Sequence, residues 1–105
     1  MPHRLSGGPG LYRQVELKKQ FSDIELIRSA QAGDISSFRE IVIRYQKKVY
    51  GVALRMANAD DAMDITQETF IKAYRHLHSF TGESGFFTWI YRITANTAFM
   101  KLRDR

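Results

Sequence analysis

Residues 64–98 read DITQETFIKAYRHLHSFTGESGFFTWIYRITANTA, and this stretch decides the fold. On both sides of its polar segment SFTGESG, apolar residues recur every three or four positions, which is the period of an amphipathic helix. These residues are Phe70, Ile71, Tyr74 and Leu77 before the segment, and Phe86, Ile90, Ile93, Thr97 and Met100 after it. The stretch therefore predicts a helix that ends near residue 78, a loop from Ser79 to Gly85, and a last helix that Ser84 caps.

Two helices are predicted upstream of this stretch. Ser22 and Glu25 have the spacing of a capping box, in which each side chain bonds the backbone N–H of the other residue. Gly33 stands where a left-handed residue commonly ends a helix, so the first helix is expected over about 22–32. Asp34 is then placed to cap a second helix that runs to about residue 56.

The helix before the loop begins after Asn58, with Met63 on its apolar side and acids in its first turns, where the helix dipole favours negative charge. Both prolines lie in the first nine residues, and good helix formers dominate from residue 11 onward. The predicted fold class is therefore all-α, a compact bundle of about four helices.

Length and composition limit the possible organisation. The 105 residues suffice for one domain, and their hydrophobic fraction of 44% suffices for one core. Residues 1–20 open with prolines and glycines and are expected to be a flexible tail or an expression remnant, with the domain over 21–105. The chain has no cysteine, no cleavable leader and no apolar run of the roughly 20 residues that cross a bilayer. We expect a soluble, cytoplasmic protein without membrane insertion.

Charge is distributed in blocks of opposite sign. The chain carries a net charge of +5 and a pI near 9.7, which favours an acidic partner such as nucleic acid. Residues 57–70 contain four acids and no base, whereas residues 39–56 contain five bases and one acid. This pattern suggests two recognition surfaces, one acidic and one basic; the alternative is that the blocks are merely solvated helix faces.

Catalytic and metal sites are weakly indicated. Four acids at helical spacing, Asp60, Asp61, Asp64 and Glu68, resemble a Mg²⁺ site, but the chain has no second carboxylate cluster, phosphate loop or partnered histidine. His76 and His78 are two residues apart and point to opposite sides of a helix, so they do not suit one ion. We expect no enzyme activity, no metal and no cofactor; a metal-dependent nuclease is an alternative that depends only on the acidic row.

The acidic row itself suggests a protein contact. Asp61, Asp64 and Glu68 are expected on one exposed face bordered by Gln67, while Met63, Phe70 and Ile71 are expected to face inward. Carboxylates beside an amide suit docking against Arg and Lys of another protein's helices. Compensation of the helix dipole is the alternative explanation.

The last helix combines aromatic and basic residues. Trp89, Arg92, Asn96 and Arg103 are expected along one exposed side, away from the apolar stripe. Such a side can stack on bases, bond to a base edge and neutralise phosphates, and the adjacent SFTGESG loop can enclose an unstacked base. The alternative places these aromatics in the core, and we favour it for Phe80 and Phe86.

These segments resemble a known family. The run over 64–98 looks like conserved region 2 of the bacterial extracytoplasmic-function (ECF) sigma factors, in particular sigma-E-like members, and AGDISSFREIVIRYQKKVYGVALR over 32–55 resembles their region 2.1. The resemblance covers about 22–105. Its motifs are the QE-F element at Gln67, the FxGxSxFxTWxYRI element at Phe80, and the following Asn96, in the family's order and spacing.

The resemblance implies a stress-response transcription initiation factor. In the family, the acidic helix docks on the β′ clamp helices of RNA polymerase, and the loop captures a flipped base of the non-template −10 strand of promoter DNA. The implied polymerase contacts are Asp61, Asp64, Gln67 and Glu68. The implied DNA contacts are Ser79, Phe80, Thr81, Gly82, Glu83, Ser84, Phe87, Trp89, Arg92, Ile93, Asn96, Lys101 and Arg103, with Ile93 and Asn96 closing the base pocket. An anti-sigma factor is a further implied partner.

The chain also departs from the family pattern. Phe99 and Met100 stand where many members have Asp, and Trp89 is followed by Ile90, whereas primary sigma factors have two tryptophans, which implies weaker promoter melting. The family's second domain, region 4, is absent after Arg105, so an isolated region 2 domain is expected. The alternative is a helical interaction module, a sigma-like scaffold that binds an anti-sigma factor without DNA; such a scaffold has no use for a base-reading face.

Overall fold

The computed structural model describes residues 16–104, which form four helices of nine or more residues and no strand. They are α1 (Asp23–Gln31), α2 (Ile35–Leu54), α3 (Ala59–Arg75) and α4 (Phe86–Arg103), with a 3₁₀ turn at Leu77–Ser79 between α3 and α4. The predicted all-α class is confirmed. Most of the predicted tail lies outside the described residues, and the part within them begins with helical residues at 16–18.

Helix α1 begins and ends where its caps predict. The Ser22 hydroxyl accepts a bond of 3.2 Å from the Glu25 N–H, and the Ser22 N–H donates to Glu25 Oε1 at 2.8 Å. The hydrogen bond from the Ser22 N–H to the Glu25 carboxylate, and second a hydrogen bond from the Ser22 side chain to it, lower the pKa of Glu25. Gly33 follows the helix with φ of +108°, a conformation that residues with a Cβ rarely adopt.

Asp34 caps α2 as the sequence predicts. Its carboxylate accepts bonds from the Ser36 N–H at 3.2 Å and the Ser37 hydroxyl at 2.8 Å, and pairs with Lys18 Nζ at 2.8 Å. The bond from Lys18, followed by those from the serines, holds the pKa of Asp34 well below its usual range. The negative charge at this helix start therefore persists to low pH.

The chain divides into two compact units, with the boundary between Ile43 and Arg44 inside α2. In the first unit the buried apolar side chains include Leu26, Ile27, Ala30, Phe38 and Ile41. In the second unit Ala53, Ala62, Ile65 and Ala98 form a fully buried cluster, with Tyr50 and Ala57 packed against it. The alanines come from α2, α3 and α4, so these three helices approach closely at the centre of the second unit.

Helix α3 differs from its prediction at both its face and its end. Met63, Ile71 and Tyr74 are 54%, 52% and 50% exposed, so the expectation that Met63 and Ile71 face inward is wrong. The face that packs inward carries Ala62, Ile65, Thr69, Phe70 and Ala73. Thr69 tolerates burial because its hydroxyl donates to the Ile65 carbonyl at 2.7 Å. The helix ends at Arg75, and the 3₁₀ turn replaces its expected last residues.

Helix α4 is capped by Gly85 and not by the predicted Ser84, and its cap makes no side-chain hydrogen bond. Its buried residues are Phe86, Ile90, Thr94, Thr97 and Ala98, whereas the predicted stripe residue Met100 is 41% exposed. As in α3, a threonine supports the inner face, since the Thr94 hydroxyl donates to the Ile90 carbonyl at 2.8 Å.

Among residues 16–104, no helix has the length and apolar character needed to cross a membrane.

Candidate nucleic-acid and protein interfaces

Three aromatic rings hold both ends of the loop between the 3₁₀ turn and α4. Phe80, at the start of the loop, and Phe86, at the start of α4, are both buried, and their ring centroids lie 5.6 Å apart. Trp89 completes the cluster, with its centroid 5.4 Å from Phe80 and 5.6 Å from Phe86. The predicted core placement of Phe80 and Phe86 is confirmed. The loop is therefore anchored at its ends while its middle is left at the surface.

The middle of the loop is polar and solvent-facing. Thr81, Gly82 and Glu83 are exposed, and Ser84 is half-buried. Gly82 has φ of +90°, so the loop turns through a conformation that suits glycine. Together with the anchored ends, this turn presents short polar side chains and backbone groups at a defined place. Such groups can bond to a base that has left its stack.

One side of α4 continues from the loop. Trp89, Ile93 and Asn96 follow one another at intervals of four and three residues and share this side. Trp89 and Ile93 are half-buried and Asn96 is exposed, as is Arg92 beside them. Because Trp89 also contacts Phe80, it connects the loop to the side of α4 that carries Asn96 and Arg92.

Two predicted contacts are placed differently from the expectation. The family resemblance implies Phe80 as a DNA contact, but its ring is buried, so it supports the loop and offers little surface of its own. The sequence predicts Trp89 on an exposed side of the last helix, but packing on Phe80 and Phe86 leaves it half-buried. The helical spacing of residues cannot predict these ring contacts, because they form only when the loop packs against α4.

The predicted acidic face is only partly present. The side chains of Asp64 and Glu68 are 64% and 51% exposed, and Gln67 is exposed beside them. Asp61 is buried at 8% exposure, and its N–H donates to the Asn58 side chain at 2.9 Å in the cap of α3. The expectation that Asp61 shares the exposed face is therefore wrong. Hereafter "acidic face" means Asp64, Gln67 and Glu68.

Basic side chains share a groove with the acidic face. The groove has a volume of about 390 Å³ and is lined by Asp64, Gln67, Glu68, Ile71, Lys72, Arg75 and Lys101. Lys72 Nζ lies 3.3 Å from Glu68 Oε2 and 3.1 Å from the Thr97 hydroxyl, which connects α3 to α4. Acidic and basic side chains thus meet in one groove, although its bases come from α3 and α4 and not from the basic block 39–56. Neither Lys72 nor Arg75 is among the contacts predicted from the sequence. Lys72 stands four residues after Glu68 and Arg75 four residues after Ile71, so this spacing places them on the same helix face.

The basic pair at the end of α4 makes contacts within the chain. Lys101 Nζ lies 3.7 Å from Asp64 Oδ2. Arg103 Nε lies 3.3 Å from Asp104 Oδ1, and its guanidinium stands 5.9 Å from the centre of the Phe99 ring. Both cations remain solvent-accessible and can neutralise phosphates, at the cost of these weak exposed contacts.

The structure gives no support to a metal site at the acidic row. Within residues 16–104, no group of three or more His, Cys, Asp or Glu side chains is arranged to hold an ion. Asp61 is turned into the protein while Asp64 pairs with Lys101, so the row does not converge.

Comparisons with known proteins find a matching family and similar sequences. Residues 41–105 match the family model of sigma-70 region 2. The chain is 48% identical over 82 residues to the ECF RNA polymerase sigma-E factor of Haemophilus influenzae and 46% identical over 82 residues to that of Escherichia coli K12. Each match covers 78% of this chain and 43% of the relative, so the chain spans less than half the length of these proteins.

A solved structure is also similar. It is an NMR structure of an engineered region 2 of sigmaE in complex with GTAAAA. The TM-score is 0.77 and the sequence identity 44%, over 81% of this chain and 90% of that one.

Proposed function

Since the chain belongs to the sigma-70 region 2 family, we propose that it is a transcription initiation domain that recognises the −10 element of promoters on behalf of RNA polymerase. The resemblance to ECF sigma factors is confirmed by identities of 46–48% to sigma-E factors. The observation that carries the proposal is the match, at a TM-score of 0.77, to a region 2 structure that holds GTAAAA. The proposed role is one of binding, and no chemical step is assigned to the chain.

Base capture is the proposed means of recognition. The loop tip at Thr81–Ser84 receives a flipped base of the non-template strand, and the wall of the pocket comes from Ile93 and Asn96 on α4. Support comes from Trp89, whose contact with Phe80 brings the loop to that side of α4. The Asn96 amide supplies both a donor and an acceptor for a base edge. Its exposure leaves both groups available.

Phosphate neutralisation is the proposed role of Arg92, Lys101 and Arg103. All three lie on α4 and are at least partly exposed, and α4 contains no acid. Contacts of this kind set the position of the strand and make binding salt-dependent, but they carry no sequence information. Specificity is therefore proposed to lie in the loop and Asn96, and affinity mostly in the basic side chains.

Polymerase docking is the proposed role of the acidic face. Asp64 and Glu68 are exposed and one turn apart on α3, a spacing that suits basic side chains on the β′ clamp helices. Gln67 between them can bond to polar groups of the same helices. Region 2 would thus bind polymerase through α3 and DNA through the loop and α4. An anti-sigma factor is the partner proposed to prevent this assembly.

The test compares single-stranded GTAAAA with a duplex that contains the same sequence, by fluorescence titration at one salt concentration. Single-stranded binding should be the tighter, because extracting a base from a duplex costs a few kcal/mol that a single strand does not require. Equal affinity for the two forms would indicate plain phosphate binding and would reject base capture. Absence of binding to either form would favour a scaffold that binds only other proteins.

A further inference from the structure

Methionine is the only sulfur-containing residue type in the chain, and within residues 16–104 it occurs only at the surface. The sequence has four methionines and no cysteine. Met56, Met63 and Met100 are 37%, 54% and 41% exposed, whereas the buried apolar side chains are alanine, valine, leucine, isoleucine and phenylalanine. Methionine commonly fills irregular gaps in a core, and here it does not. An oxidant that reacts with sulfur therefore meets exposed thioethers and no thiol.

Met63 is the most exposed of the three and lines a groove between α2 and α3. The groove has a volume of about 390 Å³ and a mostly apolar wall, and is called the methionine groove. Its lining residues are Gln46, Lys47, Tyr50, Met63, Thr66 and Gln67. Met56 and Met100 are not among them. At 54% exposure, the Met63 side chain is open to a small oxidant.

The methionine groove adjoins the acidic face, and the two share Gln67. Met63 directly precedes Asp64 and stands four residues, about one helical turn, before Gln67. A partner helix that bonds to both Asp64 and Gln67 would therefore also cover Met63. The thioether would then be an apolar contact beside the charged contacts of the same interface.

We propose that Met63 is a modification site, at which oxidation by a peroxide weakens the docking of polymerase. The inference rests on the proposed function, because it assigns Met63 to the surface that polymerase covers. The Met63 sulfur attacks one oxygen of hydrogen peroxide, so that an S–O bond forms and the O–O bond breaks. The sulfur is oxidised by two electrons to a sulfoxide, and the departing hydroxide takes up the remaining proton and leaves as water. The sulfoxide is polar, which disrupts apolar interfaces that contain methionine.

The position of Met63 directs this effect to binding and not to folding. Its neighbours Ala62 and Ile65 are fully buried in the core of the second unit, whereas Met63 lies on the opposite, exposed side of α3. An added oxygen therefore reaches solvent in the free domain and needs no room in the core. In the docked complex the same oxygen would be buried against the partner. Methionine sulfoxide reductases reverse the oxidation, so the loss of binding is expected to be reversible.

The experiment treats the full chain with hydrogen peroxide and compares its affinity for isolated β′ clamp helices before and after treatment. Wild type should lose at least about fivefold, which corresponds to about 1 kcal/mol, the lower limit for burying a polar group without a hydrogen bond. Methionine sulfoxide reductase should restore the affinity. Met63→Leu keeps an apolar side chain of similar volume but has no sulfur, so its affinity after treatment should stay within about twofold of its own value before treatment.

Met100→Leu is the matched control, because it removes an exposed thioether from α4, and it should lose as much affinity on treatment as wild type. Mass spectrometry of peptides identifies the oxidised methionines, and circular dichroism checks the fold. If Met63 is not oxidised, if its oxidation leaves clamp binding unchanged, or if Met63→Leu loses as much as wild type, this inference fails and the proposed function stands. Equal protection by Met100→Leu, or loss of helicity on treatment, would also overturn it. If untreated wild type does not bind the clamp helices, the proposed docking fails and this inference fails with it.

Discussion

Asp64 Oδ2 on α3 lies 3.7 Å from Lys101 Nζ on α4, so a proposed polymerase contact and a proposed DNA contact form an ion pair with each other. Lys101 cannot give its full charge to a phosphate while Asp64 is beside it. A basic side chain of the polymerase that engages Asp64 would at the same time release Lys101. The two proposed contacts would thus compete in the free protein and be compatible in the complex.

Asp64→Asn should therefore raise the affinity of the free domain for single-stranded DNA. Exposed ion pairs contribute about 0–1 kcal/mol, so the expected gain is about twofold to fivefold at low salt, and it should vanish at high salt. A titration with GTAAAA in both conditions measures it. Asp60→Asn is the matched control, since it changes net charge equally at an exposed position of the same helix. An equal gain in both variants, or a gain that persists in a Lys101→Ala background, would contradict direct pairing.

Charge reversal of the acidic face should weaken polymerase binding. Asp64→Lys combined with Glu68→Lys is expected to reduce affinity for isolated β′ clamp helices at least tenfold, since a hydrogen bond to a charged group contributes about 1.5–3 kcal/mol. Asp60→Lys should have much less effect. Helicity should persist because both side chains are exposed, and circular dichroism checks this. Undiminished binding in a pull-down would remove the acidic face from the polymerase contact.

Asp34 gives a stability prediction with a defined pH dependence. Asp34→Ala should lower the free energy of unfolding at pH 7 by about 0.5–2 kcal/mol, the range for losing a helix cap. Because bonds from Lys18 and the serines depress the pKa of Asp34 in the folded state, this stabilisation is complete above the unfolded pKa of about 3.9 and is lost as pH falls toward the folded pKa. Urea unfolding at pH 7, 5 and 3 should show the same difference between wild type and variant at pH 7 and 5 and a smaller one at pH 3, because pH 3 lies below the unfolded pKa but still above the folded one. A difference that stays constant with pH would show that the carboxylate charge is not the cause.

Local signals predict the starts of α1, α2 and α3 well, the cap of α4 less well, and the buried faces of the helices less well. The caps at Ser22 and Asp34 were predictable because each cap involves residues only two or three positions apart. The inner face of α3 was not predictable from the large apolar residues. The helices meet there through alanines and through Thr69, whose hydroxyl bonds the Ile65 carbonyl, while Met63 and Ile71 remain exposed. Large apolar residues are thus a poor guide where helices approach closely.

In the candidate site, too, some features are predictable from the sequence and others are not. The loop, its buried phenylalanine anchors and the exposed Asn96 follow from spacing and composition. The burial of Asp61 and the pairing of Asp64 with Lys101 do not, because each depends on neighbours brought close by tertiary packing.

Asn96 and the basic pair should differ in the kind of binding that they control. Asn96→Ala should reduce discrimination at one base position of GTAAAA by about 1–3 kcal/mol, the value of a specific base contact. Lys101→Ala and Arg103→Ala should weaken all sequences alike and lower the salt slope by about one each. Titrations with strands substituted at each position in turn measure both effects. A loss that is uniform over all positions for Asn96→Ala would make it a positioning residue and not a reader of sequence.

Exchange of the loop tip should change which base is preferred without unfolding the domain. Phe80 and Phe86 are buried and must be kept, whereas Thr81, Glu83 and Ser84 lie at the surface and can be replaced by the residues of another loop of equal length. Gly82 is retained, since φ of +90° strains any residue with a Cβ. The thermal midpoint should stay nearly constant, because the three rings that anchor the loop are untouched. A control loop with serine at the three exchanged positions should bind more weakly and discriminate less, since it keeps the backbone but lacks the larger side chains. If the exchanged loop binds with the original base preference, the pocket is formed by α4 alone and the loop only covers it.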